Sequence, residues 1–398
     1  MAAPPGPGGD FFRDTRMMHF PDTHVAPFSE LLAGGQEGSV HTGGPIWADW
    51  DNQVVARHCR RRIPRDLRPA WDPVRDGARA RQIPEAIWCG PITRHFGHMI
   101  ADFGMRIVPS IRSDRPGPYL FSGLPDLFGD AATPADAVPG FLWAILDYLG
   151  VARQDVLVDP GPLHVRDLFV APQAEQLGGV GPDADHLDVL DAHAERMLGR
   201  LPETGPVFVS RAGVDARFAG EAYLEELLAA AGVRVYRPET QSFLDQMRVY
   251  ASASLLIFSE GSALHATQYL GRNLNRVLVL NRREKRRLNA RSLEPRAKSV
   301  TYAEVMRDQI FMSRPDGQPI RAKGLTLFAP GKLIRALEGA GVKVDHLFDR
   351  ARLREAEIRD ARLWLEYARQ TPFWDSPVSK AGVQGMLQQH FGRRFEIA

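Results

Sequence analysis

Cysteine is nearly absent from this chain of 398 residues, which has only Cys59 and Cys89. Two cysteines build no disulfide framework, and neither sits in a CxxC pair or a zinc-ligand spacing, so a reducing, cytosolic compartment is expected. Long apolar runs are missing too. None approaches the roughly 18 residues of a membrane-spanning helix. The first residues, MAAPPGPGGDFFRD, lack the basic-then-apolar layout of a secretory signal, and their Pro and Gly content predicts a flexible arm over 1–12. An excess of one charge is also lacking. Fifty Lys and Arg stand against 48 Asp and Glu, a formal net charge of +2, which argues against a nucleic-acid partner. There is no internal repeat, no P-loop and no GxGxxG, so kinase, ATPase and dinucleotide-enzyme readings recede. SEGS (259–262) is not a G-x-S-x-G nucleophile elbow, because Glu260 stands where the first glycine belongs.

What is present is the ordinary balance of a globular protein, 44% hydrophobic and 25% charged residues, in a chain long enough for two domains. The abundance of Arg and Ala is the composition expected of a GC-rich bacterial genome. From about residue 85, short apolar runs alternate with amphipathic stretches, the mark of α/β layers. AIWCG (86–90) reads as a strand, TRHFGHMIADFGMRIV (93–108) as a helix, GPYLFSG as a strand, AVPGFLWAILDYLG as a helix and DVLVDPG as a strand. DADHLDVLDAHAERMLGR (183–200) reads as a helix with acids in its first turn and arginine in its last.

A cleaner series begins after the Gly/Pro punctuation at 199–205. PVFVS, VRVYRP, SLLIFS and NRVLVLN read as strands, with GEAYLEELLAAAG, SFLDQMRVYASA and ALHATQYLG as the helices between them. Right-handed crossovers then make the strands parallel. The tail adds two helical stretches, GKLIRALEGAG and LREAEIRDARLWLEYARQTPFW. The division expected is an N-terminal α/β domain over 1–200, a nucleotide-binding, Rossmann-like domain over 201–330, and a helical segment over 331–398 that returns to brace the first domain.

In parallel sheets, ligands sit beyond the carboxyl ends of the strands. Three such junctions stand out: Ser210-Arg211, Pro238-Glu239-Thr240-Gln241-Ser242 and Ser259-Glu260-Gly261-Ser262. Gly261 lets backbone approach a ligand, and the N–H groups of the helix near Ser262 favour an anion. Arg211 suits a bidentate clamp on phosphate, and either Glu239 or Glu260 suits sugar hydroxyls. Weighed against this, a Gly-Ser turn is usually only a turn with an N-cap, and Ser242 with Asp245 reads equally well as a capping pair. The coincidence of the three on one edge favours a site. In the first half, His98 and Asp102 are four apart and share a helix face, with Arg106 one turn further on. Asp102, His98 or His95 is the candidate general base, with Arg106 as a positioning residue. His-x-x-x-Asp on a helix is as often a structural hydrogen bond.

Two further features read as structural. DAD (183–185) suits a helix dipole better than a metal. The basic clusters 57–68 and RREKRR (282–287) read as solvated surface that could also touch anionic lipid.

The stretch FVSRAG…YRPETQSFLDQMRVYASASLLIFSEGSALHATQYL resembles the C-terminal half of glycosyltransferase family 61. The matching positions are Ser210, Arg211, Pro238, Glu239, Ser242, Phe243, Asp245, Gln246, Gly261, Ser262, Ala263 and Leu264. The family commonly has His where this chain has Glu260. The family's N-terminal pattern is matched by His98, Asp102 and Arg106, with Met105 in place of its proline. The resemblance implies a GT-B-like fold, two Rossmann-like domains facing a cleft, and an inverting transfer from a nucleotide-sugar donor to a glycan or glycolipid acceptor. It makes 1–200 the acceptor side and 201–330 the nucleotide-sugar side. It places this activity in capsule, lipopolysaccharide or exopolysaccharide synthesis, with no metal and no cofactor. Ser210, Arg211, Glu239, Ser242, Glu260, Gly261, Ser262, Ala263 and His265 would then form the donor side. A cytoplasmic protein peripheral to the inner membrane follows. The alternative is a non-catalytic glycan- or nucleotide-binding relative that acts as a scaffold in a polysaccharide assembly complex.

Overall fold

A computed structural model describes residues 17–32, 39–48, 74, 76–113, 115, 117–123, 129, 133–177, 179–392 and 395. The expected N-terminal arm, Cys59 and the basic cluster 57–68 lie outside them. Two sheets dominate. The first has six strands in the order β2-β1-β6-β3-β4-β5, namely β1 (Met18–Leu32), β2 (Ser39–Pro45), β3 (Arg81–Pro91), β4 (Tyr119–Ser122), β5 (Val156–Asp159) and β6 (Leu163–Val170). β3 to β6 pair in parallel, while β1 is antiparallel to both β2 and β6. The second sheet is wholly parallel, in the order β11-β10-β9-β7-β8. Its strands are β7 (Val207–Val209), β8 (Arg234–Tyr236), β9 (Leu255–Ser259), β10 (Leu274–Leu280) and β11 (Ala297–Ala303). A two-stranded antiparallel ribbon, β12 (Met306–Ile310) and β13 (Leu325–Phe328), lies beyond it.

The second sheet follows from its residues. β9 is buried along its whole length, as a strand covered on both faces must be, and its LLIF run supplies the apolar surface. Helices Glu221–Ala230 and Phe243–Ser252 fall where the 3.6-residue periodicity predicts them. Ser242 caps the second by accepting from Asp245 N. Asp183 likewise caps Ala184–Leu198 by accepting from His186 N at 2.8 Å, so DAD serves a helix start. One apolar cluster runs through both sheets, from Ile87 and Phe121 to Phe243 and Phe258.

The structure differs from the sequence reading in four respects. β1, β2, β6 and β11 to β13 were not anticipated; β6, LHVRDLFV, mixes charged residues into its apolar run. The stretch 93–108 is not one α-helix. It passes from an α turn (Phe96–His98) through a π turn (Met99–Phe103) and a 3-10 turn (Gly104–Arg106) into Ile107–Ile111. Ser262–Tyr269 is 3-10 rather than α. Finally, the C-terminal helices do not return to the first half. Helix Arg350–Arg369 turns Leu353 and Ala356 onto the Glu221–Ala230 helix, and Trp364, Leu365 and Ala368 onto the β12–β13 ribbon. Helix Pro377–Phe391 adds Val383 and Leu387 to the same cluster. The nearest uncovered apolar faces belong to the second half, so the stripe is buried there.

Candidate functional site

The carboxyl ends of β7, β8 and β9 are adjacent because the strands pair in parallel. They open into a cavity of about 500 Å³ at the seam between the sheets. Ser210, Arg211, Glu239, Ser242, Ser262 and Ala263 line it from the second half. Phe96, Phe141 and Ala144 line it from the first, opposite Phe243. Three aromatic rings and a few convergent polar groups are the usual furnishing of a small-molecule site.

Arg211 is 9% exposed and forms part of the wall. Its backbone N donates to Glu221 Oε1 at 2.7 Å and its Nη2 to the carbonyl of Ala216 at 3.0 Å, while Nε has no hydrogen-bond partner among the described residues. Burial lowers its pKa, opposed by the charges of Glu221 and Glu260. A buried guanidinium with donor capacity to spare, at a cavity edge, is the group that an anion would complete. Gly261 sits directly against it. A Cβ there would fall 1.9 Å from Arg211 Nη1, so the glycine makes room for arginine rather than for ligand backbone.

Glu260 does not reach the cavity. It is fully buried and accepts from Arg282 N (2.8 Å), Arg283 N (3.0 Å) and Arg283 Nε (2.8 Å), with a second guanidinium contact from Arg283 Nη2. Both carboxylate oxygens are thereby engaged, which answers why a charge ends a buried strand. The geometry assigns it to anchoring the loop after β10, in place of the sugar-hydroxyl role its sequence position suggested. Arg282, 4% exposed, donates from Nε to the Glu260 carbonyl, and burial followed by the nearby Arg211 charge pushes its pKa down to about 9. Arg282 and Arg283 are thus not the solvated surface that the basic cluster suggests, and Glu221, which holds Arg211 N, carries no motif that singles it out. The available signal is one of position, since Asn281-Arg282-Arg283 occupies the carboxyl end of the fourth parallel strand and Glu221 opens a helix.

On the first half, His98 Nδ1 lies 2.5 Å from Asp102 Oδ2, and Asp102 is fully buried. Gln173 Nε2 donates to the Asp102 carbonyl at 2.6 Å and holds the turn. In the tautomer whose Nδ1–H donates to the Asp102 carboxylate, Nε2 carries the lone pair, the arrangement a general base needs. His95 is differently disposed. Its Nδ1 accepts from His98 N at 3.1 Å, so the neutral ring places its proton on Nε2. Partial desolvation, then the neighbouring His98, keeps its pKa below the usual histidine range. His95 thus caps the turn and lies against the His98 ring at 4.3 Å between centroids. His265 is buried behind the site, 3.2 Å from Gln268 Oε1, and burial lowers its pKa to about 4. It does not line the cavity.

Arg106 departs from expectation. It is fully buried, with its guanidinium 4.6 Å from the centre of the Trp88 ring and Nη1 3.4 Å from the Ala171 carbonyl. The π and 3-10 turns change the number of residues per turn between His98 and Arg106, so the face that an α-helix would share is broken. Arg106 supports β3 from beneath.

The two halves meet at Gly97, where a Cβ would fall 2.9 Å from Ser262 Oγ. Phe96 on one side of this contact belongs to the cavity wall, and the His98–Asp102 pair lies on the other. A search of curated proteins finds no match to the chain. Residues 96–278 match the family model described as Glycosyltransferase 61. The stretch that builds this site is therefore similar to glycosyltransferase family 61, a family whose activity moves a sugar from a donor to an acceptor.

Proposed function

We propose that the protein transfers a sugar from a nucleoside diphosphate donor to a glycan acceptor, with inversion and without a metal or other cofactor. The observation that carries this reading is Arg211, a buried guanidinium with an unused donor on the wall of a cavity of about 500 Å³. The diphosphate lies on Arg211 and the N–H groups around Ser262, while the aromatic walls from Phe96, Phe141 and Phe243 take the base or sugar. Glu239 and Ser242, on the rim, offer hydrogen bonds to hydroxyls.

In the transfer, the acceptor oxygen bonds to the anomeric carbon as the bond from that carbon to the diphosphate oxygen breaks. The acceptor proton passes to His98 Nε2, with Asp102 holding the ring and stabilising the imidazolium. The electron pair leaves with the diphosphate, whose charge Arg211 balances.

The division that suits this chemistry is GT-B-like, with an acceptor unit over 1–200, a donor unit over 201–330 and the helical segment 331–398. A glycan or glycolipid acceptor suits bacterial capsule, lipopolysaccharide or exopolysaccharide assembly. Among the described residues no helix is long and apolar enough to cross a membrane. Cytoplasmic placement with peripheral membrane contact is part of the same proposal.

Titration calorimetry with UDP, GDP, CDP and TDP tests the donor site. At least one binds the wild type, and Arg211→Ala abolishes that binding; undiminished binding in the variant removes Arg211 from the role. Glu260 in place of the family's usual His supports a second reading, a scaffold that binds nucleotide or glycan without turnover. Donor hydrolysis by the purified protein separates the two, since only the enzyme releases sugar from the nucleotide that binds.

A further inference from the structure

A second cavity, of about 600 Å³, opens on the other side of the His98 turn. Its wall carries His98 together with Arg283, Lys285, Arg286, Arg287 and Arg291, and no aspartate or glutamate lines it. Three of these cations are engaged. Arg283 holds Glu260, Arg287 pairs with Glu294, and Arg291 Nη1 donates to the Gly179 carbonyl at 2.7 Å. Lys285 and Arg286 are exposed and have no carboxylate partner among the described residues. The loop that carries them is held in an unusual form. Lys285 has φ 52° and Asn289 φ 60°, the left-handed region that a lysine enters only at a cost. Glu260 fixes the start of this loop through Arg282 N and Arg283 N, and the Tyr302 hydroxyl donates to the Leu288 carbonyl at 2.8 Å near its end. A loop tied near both ends, with positive φ at Lys285 and Asn289 and two cations without a carboxylate partner among the described residues, is a built surface rather than a solvated run.

The placement matters as much as the charge. Phe96 belongs to the first cavity and His98 to the second, and Gly97 between them is pressed against Ser262. A donor in the first cavity and a ligand in the second would therefore meet across one turn, with His98 on the second ligand's side. We infer that the basic cavity is the acceptor subsite, and that it takes a glycan bearing carboxylate or phosphate groups. The inference rests on the transfer reading above for the word acceptor, but the binding of an anionic glycan stands on this cavity alone. Lys285 and Arg286 hold the acid group, and an adjacent hydroxyl is left facing His98.

The test uses the full chain and calorimetry at low salt with three probes: hexagalacturonate for carboxylate, mannose 6-phosphate for phosphate, and maltohexaose as the neutral control. At least one acidic probe is expected to bind at least tenfold more tightly than maltohexaose, and more weakly as salt rises. Lys285→Ala/Arg286→Ala should raise its Kd about tenfold, whereas Lys285→Arg/Arg286→Lys should restore binding. Both positions are exposed, so the fold is retained, as the circular dichroism of each variant will show. Equal affinity for acidic and neutral probes, or an acidic affinity indifferent to the alanine pair, overturns the proposal. So does binding to phosphatidylglycerol vesicles through these residues with no binding of either acidic sugar. The same variants titrated with the nucleoside diphosphate that binds the wild type keep the two readings apart. Acidic sugar without any nucleotide binding leaves this surface standing and removes the donor site; nucleotide without acidic sugar does the reverse.

Discussion

Arg211 and Gly261 show how one residue's identity is dictated by another's far end. Gly261 has φ 173°, extended backbone that any residue adopts, so its conformation does not demand glycine. Space does, because the Arg211 guanidinium occupies the volume a methyl group would fill. Gly261→Ala should therefore displace the guanidinium. We expect nucleoside diphosphate binding to weaken about tenfold or more by calorimetry, while the urea midpoint moves by no more than overpacking of about 1–3 kcal/mol implies. Intact affinity would show that Arg211 need not hold its present place. The His98–Asp102 pair makes a separate prediction. Asp102→Asn leaves the shape and removes the charge that orients the ring, so kcat should fall by about 10² or more with little change in donor KM. This pair was legible from its spacing, because i and i+4 meet across one α turn; the same spacing from Asp102 to Arg106 misled, because a 3-10 turn intervenes. Glu260 was legible as unusual but not in its role, since its partners lie twenty-two and twenty-three residues further on.

At the level of elements, parallel strands and their crossover helices were readable wherever an apolar run of β-branched and aromatic residues met Gly or Pro punctuation. The elements that misled were the two that build the seam. Residues 96–111 and 262–269 have helical periodicity, yet π and 3-10 turns form because Gly97 must touch Ser262 and Gly104 must clear both the Met99 carbonyl and the Tyr269 hydroxyl. Those contacts belong to the assembled molecule. Ser262–Tyr269 also carries His265, and Ala184–Leu198 carries His186, both buried. Burial holds the first near pKa 4; for His186 burial, then Arg296, pushes it to about 3, against 6.5 in the unfolded chain. Each unfolded histidine then binds a proton that the folded one refuses. The stability these groups supply is whole above about pH 6.5 and drains away as pH falls towards 4, by up to about 1.4 kcal/mol per pH unit for each. Urea midpoints measured at pH 7.5 and 5.0 should fall accordingly, and His265→Gln should flatten the difference. An equal drop in wild type and variant would exclude His265 as a source.

For the molecule as a whole, the junction between the halves is held by a buried ion pair. Arg296 Nη2 meets Glu175 Oε1 at 2.5 Å and Nη1 meets Oε2 at 3.1 Å, with both side chains fully buried. Arg296 also donates to the carbonyls of Gln268 and Ser292, so one guanidinium ties the loop after β6 to the turn before β11. Arg296→Met strands the Glu175 carboxylate and should cost about 3–5 kcal/mol by urea denaturation. Adding Glu175→Leu should recover much of the loss; if the double variant is as unstable as the single, the pair is not the source. Neither residue was singled out from the sequence, because a salt bridge across 121 residues has no local signature. The destination of the C-terminal helices was hidden for a related reason. The apolar stripe of Arg350–Arg369 was readable, but which face it covers depends on what the Glu221–Ala230 helix and the β12–β13 ribbon leave open.

By itself the sequence determined the strand-and-helix alternation, the parallel second sheet, the three strand-end junctions and the His98–Asp102 pair, all of which depend on neighbours within a few residues or on chirality. Only the tertiary structure decided that Arg211 lies against Gly261, that Glu260 and Arg106 turn inward, and that His98 lines a basic cavity one residue away from the Gly97 seam. Those outcomes depend on volume and charge brought together from distant parts of the chain. A periodicity records which way a side chain faces, not what it will meet there.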